Sequence, residues 1–244
     1  MNIDRGSLRS AFLLLPFLLS VLITACDLVA VGRGVRGSGT RVTESRAAEA
    51  FDRVVVSGDF EVRIAAGTPA GLRLEGDDNL LPLVETRVVG GTLRVRSQRP
   101  LRPLRRILIE IGVPHLAGVG TSGSSDVRVT GVRSPAFVAN VAGSGSVQAE
   151  GSFGRLSTSV SGSGSVTGRG TAETIDVDVT GSGAVDLLAV RARAVDVNGS
   201  GSGDVAVHVA ERLDVSMSGS GVVRYTGSPT VRASTTGSAR VHRL

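Results

Sequence analysis

The chain has 244 residues and a net charge of +5, with 27 cationic side chains, all arginine, against 22 acids. Without lysine there is no Walker phosphate loop, no Schiff-base lysine and no Ser-x-x-Lys nucleophile. A single cysteine excludes an internal disulfide, a zinc ribbon and a Cys-x-x-Cys redox pair, and the arginine charge favours acidic partners.

Residues 1–25 read as a lipoprotein signal peptide. Arg5 and Arg9 flank its start, Ala11 to Ile23 is an uncharged apolar run, and small residues precede Cys26. The run falls short of the roughly 20 residues that span a bilayer. The segment Leu22-Ile23-Thr24-Ala25-Cys26 resembles a bacterial lipoprotein box, which implies lipidation of Cys26 and anchoring in the bacterial cell envelope. Residues 26–50, rich in Gly, Ser, Arg and Ala without apolar period, are expected to form a flexible tether.

Residues 51–116 are expected to form an all-β capping section. Val54-Val55-Val56, Phe60 to Ile64 and Leu72 to Glu75 are short runs separated by Ser57-Gly58-Asp59 and by Gly67 to Gly71. Gly90-Gly91 marks a hairpin turn, and Ile107 to Ile111 is the clearest strand. Arg94, Arg96, Arg99, Arg102, Arg105 and Arg106 form a basic run interrupted by Pro100 and Pro103. The run reads as a solvated loop, or as a contact for acidic lipid headgroups.

Residues 117–244 are organised by a returning Gly-Ser-Gly corner, with origins at Gly123, Gly143, Gly162, Gly181, Gly201, Gly219 and Gly237 and steps of 20, 19, 19, 20, 18 and 18 residues. Four places after each origin the residue is always valine, from Val127 to Val241. Six, four and two places before the last six origins lie mostly apolar residues, such as Leu156, Thr158 and Val160. Offsets of two define strands with one buried face, and a repeat of this length defines a solenoid. The fold is therefore expected to be all-β, a single-stranded parallel β-helix, with a bulge at Gly199-Ser200 where the other corners have no extra pair.

Phe51 to Ile64, Glu75-Gly76-Asp77-Asp78-Asn79-Leu80-Leu81, Gly91-Thr92-Leu93 and the serial corners resemble the head GIN domain of autotransporter adhesins over about residues 51–244. The resemblance implies a right-handed, pectin-lyase-like solenoid and a role in cell-surface adhesion. It carries over no catalytic residue. No segment reads as a translocator barrel, so the resemblance is to the head alone.

Five places before the corners, Asp176, Asp196 and Asp214 fall on consecutive coils, with Asp178 nearby. Stacked carboxylates of this kind would suit a hard cation, or the acid pair of a polysaccharide hydrolase, or would simply be a solvated stripe. Three places before, Asn140, Ser159, Asp178, Asn198, Ser216 and Ser234 form a small polar column, most simply the solvent face of the same strands, along which a carbohydrate could also hydrogen-bond. Gly203-Asp204 does not recur as calcium-binding nonapeptides require, and a valine strand follows each corner where a dinucleotide loop would need a helix. His115, His208 and His242 have no metal-ligand spacing.

The expected function is adhesion or ligand binding by a lipid-anchored envelope protein with no cofactor and no catalytic residue. The alternatives are a polysaccharide-active enzyme using Asp176, Asp196 and Asp214, and a periplasmic protein-binding scaffold. Expected partners are the membrane through the N-terminal lipid and a glycan, acidic lipid or envelope protein. Nucleic acid is not expected, and the solenoid ends allow a homo-oligomer.

Overall fold

The computed structural model describes residues 34–244. In chain order the strands are β1 (Val35–Arg36), β2 (Arg41–Ser45), β3 (Arg53–Gly58), β4 (Phe60–Ala66), β5 (Gly71–Asp77), β6 (Val84–Val89), β7 (Thr92–Ser97), β8 (Leu101–Arg102), β9 (Ile107–Val113) and β10 (Gly118–Gly123). The long strands β11 (Asp126–Gly143), β12 (Ser146–Gly162), β13 (Ser165–Gly181), β14 (Ala184–Gly201) and β15 (Asp204–Gly219) follow, then β16 (Val222–Thr226), β17 (Thr230–Gly237) and β18 (Arg240–Arg243). Successive coils pair in parallel, and the chain forms a β-solenoid of about seven turns, consistent with a right-handed parallel β-helix.

The valine column is a continuous ladder. Val127, Val147, Val166, Val185, Val205, Val223 and Val241 are lateral partners from one coil to the next, and all but Val241 are fully buried. On the other side of the corner Phe137, Leu156, Ile175, Val195, Leu213 and Val231 stack in the same manner. Each fully buried side chain of this size contributes about 1.5–3 kcal/mol, and only its neighbours in the stack can keep it from water.

The corners explain why the repeat needs two glycines. Gly162 has φ +111°, and a Cβ there would lie 2.7 Å from the carbonyl oxygen of Gly143 in the coil before. At Gly164 a Cβ would lie 2.4 Å from Val141 Cγ1. Between them the Ser163 amide donates to Gly143 O at 3.0 Å, a bond repeated by Ser144, Ser182, Ser202, Ser220 and Ser238. The first glycine supplies the backbone conformation and the second supplies the space.

The capping section stacks out of sequence order. Strands β3 and β4 meet at Gly58 and form a coil whose Gly58 is the lateral partner of Gly123, so Ser57-Gly58-Asp59 is the first corner of the series. The next residues build a further coil outside it: β7 pairs with β3 and β9 with β4, both in parallel. The chain then returns past that coil to start β10 on its other side. The valine column thereby extends through Val62 to Ile109. Antiparallel strands close this end, β6 on β7 and β5 on β9.

Two expectations need correction. The described part of the expected tether is not all free, because Arg41–Ser45 pairs antiparallel with β5 and Val35–Arg36 pairs with β8. Nor is there a bulge at Gly199-Ser200: both residues are in register with Val179 and Thr180. The corner hydrogen bonds leave no slack there, so the extra residues go to the far side of the coil, where register shifts between Thr167 and Arg169 and between Leu187 and Arg191. Gly168 makes this room, since a Cβ on it would lie 2.6 Å from Leu187 Cδ2. The other 20-residue step is absorbed likewise, by a register shift between Val129 and Val132.

Candidate functional site

Three outward columns form a flat face on the long strands. Asp176, Asp196 and Asp214 are lateral partners, with Ser157 before them and Arg232 after. Asn140, Ser159, Asp178, Asn198, Ser216 and Ser234 are partners two residues further on. The next column, beside the corners, is Ala142, Ser161, Thr180, Ser200, Ser218 and Thr236. Sequence reading missed this hydroxyl column, although its offset of minus one repeats as strictly as the others. Neighbouring layers of such a face lie roughly 4.8 Å apart.

The aspartate column is neutralised by arginine. Arg155 grips Asp176 with two bonds, Nε to Oδ2 at 2.5 Å and Nη2 to Oδ1 at 2.8 Å, and Ser157 Oγ donates to the same carboxylate at 3.4 Å. Hydrogen bonding to Asp176, and then the charge of that carboxylate, raises the Arg155 guanidinium above its ordinary value. Arg212 lies between the other two, 3.4 Å from Asp196 and 2.9 Å from Asp214. These contacts engage both oxygens of Asp176 and one oxygen each of Asp196 and Asp214. Among the described residues no group of three or more His, Cys, Asp or Glu side chains is placed to hold a metal ion. Asp178 is exposed and belongs to the small polar column, not to the stripe.

The basic run divides. Arg106 is a structural clamp: it pairs with Asp59 at 2.7 Å and with Asp126, and its Nη2 donates to Phe60 O at 3.0 Å and Ser124 O at 2.9 Å. It thus fastens the first two corners together. Arg96 pairs with Glu85 at 2.8 Å, while Arg94, Arg99, Arg102 and Arg105 are exposed. Asp77, 1% exposed, accepts from the amides of Gly39 at 3.0 Å and Leu104 at 3.4 Å, and Asn79 bonds to Ser38 N and Arg36 O. The Asp77-Asp78-Asn79 segment therefore ties residues 36–39 to the basic loop. Cys26 lies outside the described residues. The histidines are in separate places: His208 Nδ1 is 2.9 Å from Thr226 Oγ1, and His115 and His242 are exposed.

A concave surface, unforeseen from sequence, lies over the first parts of β11 to β14, just after the corners. A groove of about 700 Å³ is lined by Arg128, Gln148, Thr167, Arg169, Asp186 and Leu188. It shares Arg128 and Thr130 with a neighbouring groove of about 590 Å³ that contains Arg63, Arg73 and Glu110. The register shift at Leu187–Arg191 forms its wall, and bulges of this kind cannot be placed from residue counts alone.

These features define a β-solenoid that carries regular polar surfaces. The chain belongs to the family described as "Putative auto-transporter adhesin, head GIN domain", whose model matches residues 50–229. Its fold is similar to that of a "putative adhesin" from Bacteroides fragilis, with a TM-score of 0.77, 22% identity, and coverage of 86% of this chain and all of that one. A "putative lipid binding protein" from Parabacteroides distasonis gives 0.72, 24% identity, and coverage of 87% and 100%. No curated protein sequence matches significantly. The family and these neighbours are described as adhesins or binding proteins, not as enzymes.

Proposed function

We propose that this head domain is held at the bacterial cell envelope by a lipid on Cys26 and works in adhesion through the flat face of the long strands. The observation that carries the reading is the register of three outward columns, Asp176 to Asp214, Asn140 to Ser234 and Ala142 to Thr236. Such a face offers hydroxyl and amide groups at a fixed repeat to an extended polar ligand such as a glycan, or to an envelope protein, at little ordering cost to the solenoid. Hydrolysis of a polysaccharide would require one carboxyl to act as acid and another as base or nucleophile, and the arginine contacts of Asp176, Asp196 and Asp214 argue against that use.

The test is attachment of cells carrying the full chain to envelope glycans and to neighbouring cells, with Asn198→Arg and Ser216→Arg introduced together. Both side chains are exposed, so folding is preserved. Attachment should fall at least tenfold, as expected when a central contact surface is obstructed. Unchanged attachment would contradict the reading. For the anchor, palmitate labelling that persists in Cys26→Ala would contradict lipidation.

A further inference from the structure

We infer that the capped end of the solenoid is a docking surface for an anionic lipid bilayer, with the loop between β7 and β9 as its contact. This deepens the anchored reading above and rests on it for the molecule's orientation. Two independent observations carry it, one about where the chain enters the fold and one about charge.

The entry point is fixed beside the loop. Val35 N donates to Pro100 O at 2.8 Å and Gly37 N to Arg102 O at 3.0 Å. The buried Asp77 carboxylate holds both segments through the amides of Gly39 and Leu104. Cys26 precedes Gly34 by eight residues, which span at most about 29 Å when extended. A lipid on Cys26 therefore keeps this end near the headgroups. The last layer lies eight lateral steps beyond Ile109, roughly 38 Å further on.

The loop has the chemistry of a bilayer contact. Among the described residues, Arg99, Arg102 and Arg105, with Arg36 on β1, are exposed and have no carboxylate within ion-pair distance. On the sides of the solenoid Arg155, Arg212 and Arg224 are paired with aspartates, whereas Arg133, Arg169 and Arg191 are exposed one to a strand on β11, β13 and β14, with no ion pair among the described residues. Asp78 is the exposed acid at the junction, and it is engaged by Ser38 Oγ and Asn79 N. Leu104 stands among the three arginines at 60% exposure. Guanidinium groups bind lipid phosphates in bidentate fashion, and an exposed leucine between them suits the boundary below the headgroups. The far end also carries Arg240, Arg243 and an exposed Leu244. Charge alone therefore does not choose the end; the entry point does, because attraction fades within about 8 Å at physiological salt.

The experiment uses the acylated full chain in vesicles of phosphatidylcholine with or without phosphatidylglycerol. A fluorophore is placed at Leu104→Cys or at Leu244→Cys, and a nitroxide on the lipid headgroups quenches it. The N-terminal peptide's mass reports acylation separately. Quenching is expected at position 104 and not at 244, and only with phosphatidylglycerol. Replacing Arg99, Arg102 and Arg105 by Gln should reduce the ratio of docked to undocked molecules on the order of a hundredfold, since each arginine near an anionic surface is worth roughly fivefold. Stronger quenching at 244, or quenching at 104 that ignores the arginines or lipid charge, would overturn the inference. If Cys26 proves unmodified, the anchored reading fails; with the label then placed at 104 in a Cys26→Ser chain, anionic quenching would uphold the loop as the contact and its loss would overturn both.

Discussion

Gly199 and Met217 are lateral partners in one inward column, and a Cβ on Gly199 would lie 2.3 Å from Met217 Sδ. In the three coils before them the column is Val141, Val160 and Val179, so one coil gives up its side chain and the next fills the space with a longer one. Gly199→Val alone should overpack the site and cost about 2–3 kcal/mol. Met217→Ala should leave a cavity and cost about 2–4 kcal/mol. The double variant Gly199→Val, Met217→Val restores an unbroken valine column and should cost at least 1 kcal/mol less than the sum of the single changes. Urea denaturation of the four proteins measures the coupling.

The two kinds of glycine in the chain should respond differently to substitution. Gly162 has a φ of +111° with a backbone oxygen in the path of any Cβ, whereas Gly90 in the β6–β7 turn has φ +57° and open space around it. Gly162→Ala should destabilise by about 3 kcal/mol or more, and Gly90→Asn by under about 1 kcal/mol, because asparagine tolerates the left-handed region. Thermal unfolding of the two variants checks the order.

Thr121 interrupts the same inward column between Val56 and Val141, is 4% exposed, and its hydroxyl has no partner. Thr121→Val keeps the shape and removes the unsatisfied group, so it should stabilise the protein by about 1 kcal/mol. Chemical denaturation at neutral pH measures it.

Asp126 gives the acid response a definite sign. A hydrogen bond from Ser146 and the guanidinium of Arg106 hold its carboxyl below the ordinary value, against the opposing effect of partial burial. A depressed carboxyl stabilises the fold above its unfolded value of about 3.9, and that stabilisation is lost as pH falls through the lower folded value. Asp126→Asn should therefore be less stable than the parent at pH 7, by less than about 1 kcal/mol because the side chain is half-exposed. The gap should begin to narrow below about pH 4 and close as pH falls through the lower folded value. Denaturation midpoints at pH 7 and pH 3 report it.

The solenoid was legible in the sequence because each layer repeats the same demand. Val147, Val166 and Val185 must all be small, branched and inward, and period two with a glycine corner leaves one arrangement that buries them. The capping section was legible as strands but not as a stack. Its corner had drifted to Ser57-Gly58-Asp59, and the outer coil of β7 and β9 comes later in the chain than the coil it covers. Pairing across such an excursion is set by tertiary packing and leaves no periodic mark. Residues 35–45 were misread for a related reason. Its polar residues have no apolar pattern, and they are held by the single contacts of Asp77 and Asn79. Asp176, Asp196 and Asp214 were placed in register from spacing alone, but their arginine partners were not, since Arg155 and Arg212 reach across layers by side-chain conformation.

The layered coil itself is tested most directly by a disulfide across two layers. Ser159 and Asp178 are outward lateral partners on β12 and β13, and their expected separation of roughly 4.8 Å lies within disulfide range. In a Cys26→Ala background, which leaves no other thiol, Ser159→Cys with Asp178→Cys should oxidise quantitatively to an intramolecular bridge, read as a loss of two hydrogens by mass. Ser159→Cys with Asn198→Cys, two layers apart at about 9.6 Å, should not. A bridge in the second pair, or none in the first, would contradict the stacked solenoid.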